Sequence, residues 1–166
     1  MPPETDNLRL EEICSADQKD RERVYVSPQD VEALKGRDRE RRGEVRDMIG
    51  QGAINTSIDL YRAAVLFLHG AEPKEFLCAH RLAVMAAING HRQSRWLAAA
   101  SLDRFLMSIG LAQTYGTQFE HNKEENRYQL RLPIDDSAVL HFEKDFFNVP
   151  PVVERLAQLN NKISSS

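Results

Sequence analysis

The sequence has few cysteines and no long apolar run. Its two cysteines, Cys14 and Cys78, lie far apart and form no CxxC or Cys/His pattern, so neither a disulfide framework nor a zinc site is predicted. No apolar stretch approaches the ~18 residues of a membrane span. The polar, acidic start MPPETDNLRLEE is unlike the basic and apolar start of a signal peptide. We therefore expect a cytoplasmic protein that is not associated with a membrane.

An excess of positive charge and the common catalytic motifs are also lacking. The chain has 22 Lys and Arg residues against 25 Asp and Glu, a net charge of −3, which provides no basic field for nucleic acid. It has no GxSxG elbow, no GxxxxGK[ST] loop and no GxGxxG turn. HxxxH, HExxH and DxD spacings are missing as well, so we predict no cofactor and no metal.

The charged residues are distributed unevenly and divide the chain into three zones. Its length suits one domain, residues 1–166. Residues 1–52 carry 23 charged side chains, whereas residues 53–115 carry 10. We therefore predict two charged flanking helices in 1–52 and a central three-helix core in 53–110. Residues 111–166 are expected to form a polar loop, a β-hairpin and a final helix.

Within the first zone, the second helix has a sharp start. Ser27 is suited to the N-cap and Pro28 to the first helical turn. The apolar positions of this helix are interrupted by the charged run 37–42. We interpret that run as a solvated face with helical ion pairs such as Asp38 with Arg42.

The central zone and the C-terminal zone differ in periodicity. Glycines at 70, 90 and 110 punctuate three helices, and such short links favour antiparallel neighbours. The stretch RYQLRLP alternates with a period of two, which predicts a hairpin over about 117–132. The predicted fold class is mainly α: a helical bundle or stacked helical hairpins of five or six helices with a small C-terminal β-hairpin.

The candidate site is centred on Asp103, in a helix that is apolar almost all round. A buried carboxylate needs partners, and Arg104 projects about 100° away from it on a helix. The stretch QTYGTQ follows the end of this helix, and Gly116 permits a turn back along it. Its hydrogen-bonding side chains are Gln113, Tyr115, Thr117 and Gln118. The stretch is then either a structural lid on Asp103 or the lining of a ligand pocket.

Two histidines and a further carboxylate are secondary candidates. His80 lies on an inward stripe, where it is a core residue or a catalytic group. His69 lies at a helix end, where it interacts with the last carbonyls or forms one corner of a site with His80 and Asp59. Asp17 and Arg21 have the spacing of an ordinary surface ion pair.

Several of these residues carry a family resemblance. The markers are DQKDR near the start, the Asp103–Arg104 pair and a G-x-x-Q-x-Y-G-T-Q signature from Gly110 to Gln118. Over roughly 10–160 the chain resembles an uncharacterised bacterial family of small helical proteins, a domain of unknown function. The segment HGAEPKEFLCAHRLA resembles the helix-turn-helix of that family with its two histidines. The resemblance implies a fold and a set of polar positions, and it implies no activity.

Two functional hypotheses follow. The first is a small ligand-binding or catalytic domain, in which Asp103 or a histidine is the general base and Arg104 holds an anionic group. Its ligand is a small molecule or a peptide. The second is a protein–protein interaction module or homodimer, favoured by apolar residues late in the chain. These are Phe142, Phe146, Phe147, Val149, Val152 and Val153.

Overall fold

The computed structural model describes residues 5–164. These residues form helices and one two-stranded antiparallel sheet near the C-terminal end, which confirms the predicted fold class. The helices are α1 (Leu8–Arg21), α2 (Pro28–Gly50), α3 (Ser57–Leu68), α4 (Pro73–Ile88), α5 (Ser94–Ser108), α6 (Glu143–Phe146) and α7 (Val152–Ser164). The strands are β1 (Phe119–Asn122) and β2 (Arg127–Leu130). Within residues 5–164, no helix is both long and apolar enough to cross a membrane.

Local capping accounts for where the longer helices begin. The Ser27 side chain accepts a hydrogen bond from the Asp30 backbone N–H at 3.1 Å, as predicted for the start of α2. Thr56 caps α3 in the same way. At α4, Glu72 and Glu75 form a reciprocal capping box around Pro73.

The core lies between α3, α4 and α5, with α4 packed against both neighbours. Alanines on these helices are buried, which lets the backbones approach closely. They are Ala63, Ala64, Ala79, Ala83, Ala86 and Ala98. The core also extends into the flanking helices, because Leu10 and Ile13 of α1 and Val45 and Met48 of α2 belong to the same apolar cluster. The flanking helices therefore complete the central unit as well as cover it.

The C-terminal segment is fastened to the helices through the hairpin. Phe119 pairs with Leu130 in the β1–β2 register, and α7 packs on β2. The Asn160 side chain accepts a hydrogen bond from the Tyr128 N–H at 2.7 Å and donates one to the Tyr128 carbonyl at 3.3 Å. This amide takes the place of a further strand at the edge of the hairpin.

The interpretation of residues 37–42 as a solvated face holds for Arg39 and Glu40, which are exposed, but it is wrong for Asp38 and Arg42. Asp38 and Arg42 are both buried, because α1 and the α3–α4 turn pack across this part of α2. Asp38 accepts hydrogen bonds from Arg21 at 2.7 Å and from Arg41 at 3.2 Å. Arg42 instead donates to the Glu75 carboxylate at 2.9 Å. One side of the charged run is therefore an interface, and Asp38 and Arg42 each have a partner on another helix, Arg21 of α1 and Glu75 of α4.

Candidate functional site

Asp103 is completely buried in α5 and accepts four hydrogen bonds from the loop that follows the helix. Its Oδ1 accepts from the backbone N–H groups of Thr114 at 2.7 Å and Tyr115 at 2.9 Å. Its Oδ2 accepts from the N–H of Thr117 at 3.0 Å and from the Thr117 hydroxyl at 2.8 Å. The carboxylate is thus fully satisfied by neutral groups.

Two glycines let the loop reach Asp103. Gly110 has a φ of +81°, and the Leu111 N–H donates to the Leu106 carbonyl, so the chain reverses directly after α5. Gly116 has a φ of +75°. A Cβ at Gly116 would come within 3.1 Å of Val152 and 3.2 Å of Ile134, so this position requires both the backbone conformation and the small size of glycine.

Of the side chains predicted to bind Asp103, Thr117 does so, whereas Gln113, Tyr115 and Gln118 have other partners. The Tyr115 hydroxyl donates to the Glu143 carboxylate at 2.9 Å, and burial, followed by this bond, raises the pKa of Tyr115. The buried Gln113 amide bridges the loop and the hairpin: its oxygen accepts from the Gln118 N–H, and its nitrogen donates to the Arg131 carbonyl. Asp103, Gln113, Tyr115 and Thr117 therefore form a closed hydrogen-bonded unit in which no residue is more than 9% exposed.

Gln118 links this closed unit to an open cavity. Its amide nitrogen donates to the Ala100 carbonyl and to the Thr117 hydroxyl, both at 3.0 Å. Its amide oxygen accepts a hydrogen bond from Arg104 Nε at 3.2 Å. Gln118 therefore fixes the position of the Arg104 guanidinium and keeps no N–H for a ligand.

Arg104 lines a cavity of about 380 Å³ between α5, the α3–α4 turn and the hairpin. Its Nη1 donates to the Leu68 carbonyl at 2.8 Å, and its guanidinium lies 5.8 Å from the centre of the Phe76 ring. Arg131 lines the same cavity from the end of β2, and none of the eight lining residues, all in the described chain, is acidic. Burial, and then the charges of Arg131 and Arg21, lower the pKa of Arg104.

His69 binds a carboxylate in α1 rather than one in α5. Its Nδ1 lies 2.8 Å from Asp17 Oδ2 and 3.4 Å from Arg21 Nε. Because a lone pair aimed at a carboxylate would be repelled, we assign the proton to Nδ1, which makes the Arg21 contact non-bonding. Burial acts to raise the pKa of Asp17, but the His69 hydrogen bond and the charges of His69, Arg21 and Arg41 outweigh burial and lower it.

His80 and Asp59 lie elsewhere. His80 Nδ1 contacts the Ala98 carbonyl at 2.9 Å, which joins α4 to α5. The structure therefore does not bring His69 and His80 together. Asp59 is buried beside the start of α1, where it accepts a hydrogen bond from the Asn7 N–H at 2.9 Å. In the part of the chain that the structure describes, no group of His, Cys, Asp and Glu side chains is arranged to hold a metal ion.

Sequence reasoning missed the charged network between α1 and α2. Asp17 is buried and bound to Arg21 at 3.2 Å, so its interpretation as a surface residue is wrong. Asp20 is also buried and bound by Arg37 at 2.9 Å and by Arg41, and the Arg37 hydrogen bond is the main cause that lowers its pKa. The spacing of Leu10, Ile13, Asp17 and Asp20 was the available signal, because it continues one helical stripe.

The apolar residues that were predicted to form an interaction surface divide into two groups by their exposure. Phe142, Phe146 and Val153 are exposed, whereas Val149 is buried in a small cluster with Ala99 and Tyr115. Phe147 packs against the same cluster, and Val152 is partly buried. About half of the predicted interaction surface is therefore occupied by the chain itself.

Comparison with known proteins identifies no relative of this chain. The predicted membership of an uncharacterised bacterial family stays a prediction that rests on the Asp103–Arg104 pair and the Gly110–Gln118 signature. No protein-family model, no curated protein and no solved structure matches the chain.

Proposed function

We propose that the protein is a small-ligand-binding domain whose ligand carries an anionic group, held by Arg104 and Arg131. One observation carries the proposal: two guanidinium groups line one cavity that has no acidic side chain among its lining residues. Arg104 is partly buried, whereas Arg131 is exposed, and a partly desolvated cation such as Arg104 is costly without a counter-ion. An anion in the cavity would remove that cost and would find donors suited to carboxylate or phosphate oxygens.

The other arginines near the cavity support this interpretation by contrast. Arg21 lies close enough to influence Arg104, but it is bound to Asp17 and Asp38. Arg42, on the far side of the α3–α4 turn, is bound to Glu75. Arg104 and Arg131 have no such partner among residues 5–164, and their charge remains available for a ligand.

Binding is proposed here in preference to catalysis. The candidate base Asp103 is closed off by four hydrogen bonds, and His69 is engaged with Asp17. The groups with free hydrogen-bonding capacity in the cavity are guanidinium N–H groups, which bind and polarise anions but do not accept protons at neutral pH. The ligand class is therefore a small anionic molecule or an acidic peptide.

A titration with small anions tests the proposal. Isothermal calorimetry with acetate, benzoate and phosphate should give saturable binding for at least one of them. Arg131→Gln should weaken that binding about tenfold or more, because it removes a charge-assisted pair. Arg127→Gln is the matched control, since Arg127 lies in the same strand and pairs with Glu125 outside the cavity. No saturable binding, or equal losses in both variants, would contradict the proposal.

A second candidate function is homodimerisation. The observation that favours it is the exposure of three large apolar side chains around α6, namely Leu140, Phe142 and Phe146. A twofold dimer would cover such a patch with its own copy. Light scattering after size exclusion should then give twice the monomer mass, and Phe142→Ser should return the monomer. A monomer at all concentrations would remove this candidate.

The cytoplasm is the compartment that we propose for this domain. Cys14 and Cys78 are both free and partly buried. Burial is the main cause that raises the pKa of each thiol, which keeps both in the protonated, less reactive form. Free thiols of this kind are compatible with a reducing environment.

A further inference from the structure

The donors that remain in the Arg104–Arg131 cavity restrict the kind of anion that it fits. The Gln118 amide nitrogen donates to Ala100 and Thr117. The Ser108 hydroxyl donates to the Phe105 carbonyl at 2.6 Å, and the Gly70 N–H donates to the Phe67 carbonyl at 3.0 Å. Among the polar side chains of the cavity wall, the two guanidinium groups therefore carry the free donors, and recognition depends on them.

The two guanidinium groups offer more donors and more charge than a carboxylate uses. Arg104 spends Nε on Gln118 and one Nη1 hydrogen on Leu68, which leaves Nη2 and the second Nη1 hydrogen. Arg131 has five donors, and its side chain has no hydrogen-bond partner among the described residues. A carboxylate is a monoanion that one guanidinium already saturates in a bidentate pair. The second guanidinium, that of the exposed Arg131, would then keep its five donors and its charge without a partner in the complex.

We infer that the group bound between Arg104 and Arg131 is a phosphoryl dianion rather than a carboxylate. This inference depends on the proposed function, because it names the chemical class of the same ligand. A phosphoryl group has three acceptor oxygens and nearly two negative charges at neutral pH, so it matches both guanidinium groups at once. The mutual repulsion of the two cations, which contributes to lowering the pKa of Arg104, would be cancelled by it.

The cavity is also larger than the phosphoryl group. Its volume of about 380 Å³ falls within the range of small-molecule pockets, about 300–1,000 Å³. The walls beyond the arginines include Phe76, Met107 and Phe119. Phe76 is buried next to the Arg104 guanidinium, but the Met107 and Phe119 side chains can contact an organic group attached to the phosphate. The ligand class is therefore a small phosphomonoester, and free phosphate is the smaller alternative source of the same group.

Three ligands that share a phenyl ring distinguish the effect of the anion's charge on affinity from the effect of its shape. Phenyl phosphate is a dianion at pH 8, phenyl sulfate is a tetrahedral monoanion, and benzoate is a planar monoanion. Calorimetric titration of the full chain should give a dissociation constant for phenyl phosphate about tenfold or more below those of the other two. Arg131→Gln and Arg104→Lys should each remove this advantage, whereas Arg127→Gln should retain it. Inorganic phosphate, titrated in parallel, distinguishes free phosphate from a phosphomonoester as the source.

The outcomes keep the two proposals apart. If benzoate or phenyl sulfate binds as tightly as phenyl phosphate and the binding depends on Arg131, the phosphoryl inference is overturned and the anion-binding function stands. If none of the three ligands binds, both fail. If phenyl phosphate binds equally well to the parent and to Arg131→Gln, the site lies elsewhere and both are overturned. Circular dichroism of each variant verifies that the fold is retained.

Discussion

Asp17 in α1 and Asp103 in α5 are both buried carboxylates, and the fold satisfies them by opposite means. Asp17 is held by the cations Arg21 and Arg41 and by His69. Asp103 is held by three backbone N–H groups and one hydroxyl. In the first region each arginine is paired with a carboxylate. In the second region backbone N–H groups stabilise the carboxylate, so the neighbouring Arg104 is left without an acidic partner among the described residues.

This difference separates a structural region from a candidate binding region. A network of paired charges links α1 to α2, and each of its buried carboxylates is bound by at least two arginines. In the second region, the loop N–H groups stabilise the Asp103 carboxylate and are held in place by it. Arg104 therefore has no carboxylate partner among the described residues. The position of free charge in this protein therefore follows from how its buried acids are satisfied.

The largest expected effect comes from removing the Asp103 carboxylate. Asp103→Asn keeps the size but replaces one acceptor oxygen by a donor, which opposes the N–H groups of the loop. The free energy of unfolding should fall by about 2–4 kcal/mol. Asp17→Asn should cost less, because Arg21 retains Asp38 and Arg41 retains Asp20. Urea unfolding at neutral pH measures both, and a larger loss for Asp17→Asn would contradict the distinction between the two carboxylates.

The sequence supports the prediction of the α2 start and of the Asp103 region because their signals are local. The Ser27 cap, the glycine at the end of α5 and the polar stretch after a buried helix all depend on neighbours within a few residues. The direction of the Tyr115 hydroxyl was not predictable in this way. Its partner Glu143 lies 28 residues further on, in a short helix whose position depends on the whole C-terminal segment.

The helical stripe that contains Asp17 and Asp20 is a local signal of their burial, but their partners on α2 and the role of Arg131 were not predictable from local pattern. Charged residues at helical spacing are normally solvated, and only the packing of α1 on α2 buries Asp38. Arg131 reaches the cavity through the hairpin register, in which its N–H donates to the Gln118 carbonyl at 3.1 Å. Contacts between distant segments determine both, and composition and periodicity do not specify such contacts.

The next largest effect is expected at Gly70, in the turn that separates the two regions. A Cβ at this position would lie 2.6 Å from the Glu75 Cβ and 2.9 Å from the Phe67 carbonyl oxygen. Gly70→Ala should therefore destabilise the protein by about 2–3 kcal/mol through overpacking.

A matched control for Gly70→Ala lies within α2. Gly43→Ala meets no atom within 4 Å and should stabilise the helix by about 0.5–1 kcal/mol. Chemical unfolding of the two variants side by side checks both signs. Equal effects in the two variants would show that the turn is not tightly packed.

The Glu75 carboxylate is bound both by an arginine and by backbone N–H groups, and its contribution to the stability of the fold should depend on pH. Burial acts to raise its pKa, but hydrogen bonds from the Ala71 N–H, Arg42 and the Glu72 N–H outweigh burial and lower the pKa from 4.5 to about 2. Because the folded-state pKa is depressed, the stabilisation is complete above pH 4.5 and is lost as the pH falls toward 2. Glu75→Gln should therefore cost about 2–3 kcal/mol at pH 7 and little near pH 2.

Urea midpoints of the parent and Glu75→Gln across this pH window test the dependence. The gap between the two proteins should narrow on acidification. Glu44→Gln is a suitable control, because Glu44 pairs with Arg9 on the exposed surface and such pairs contribute only about 0–1 kcal/mol. A gap at Glu75 that stays constant from neutral to acid pH would contradict the assignment.

The smallest effect is expected from Arg131→Gln, and its sign tests whether the charge of Arg131 is unpaired. Removing one of two like charges that have no acidic partner among residues 5–164 relieves repulsion at Arg104, so stability should change by no more than about 0.5 kcal/mol and in the favourable direction. The gain should shrink between about 20 mM and about 500 mM salt, since salt screens the repulsion. Arg127→Gln, which loses its pair with Glu125, should give no gain. Thermal unfolding in the absence of phosphate measures the difference. If Arg131→Gln instead costs stability as a paired arginine would, then Arg131 has a structural role, and free charge is not what distinguishes the cavity from the network.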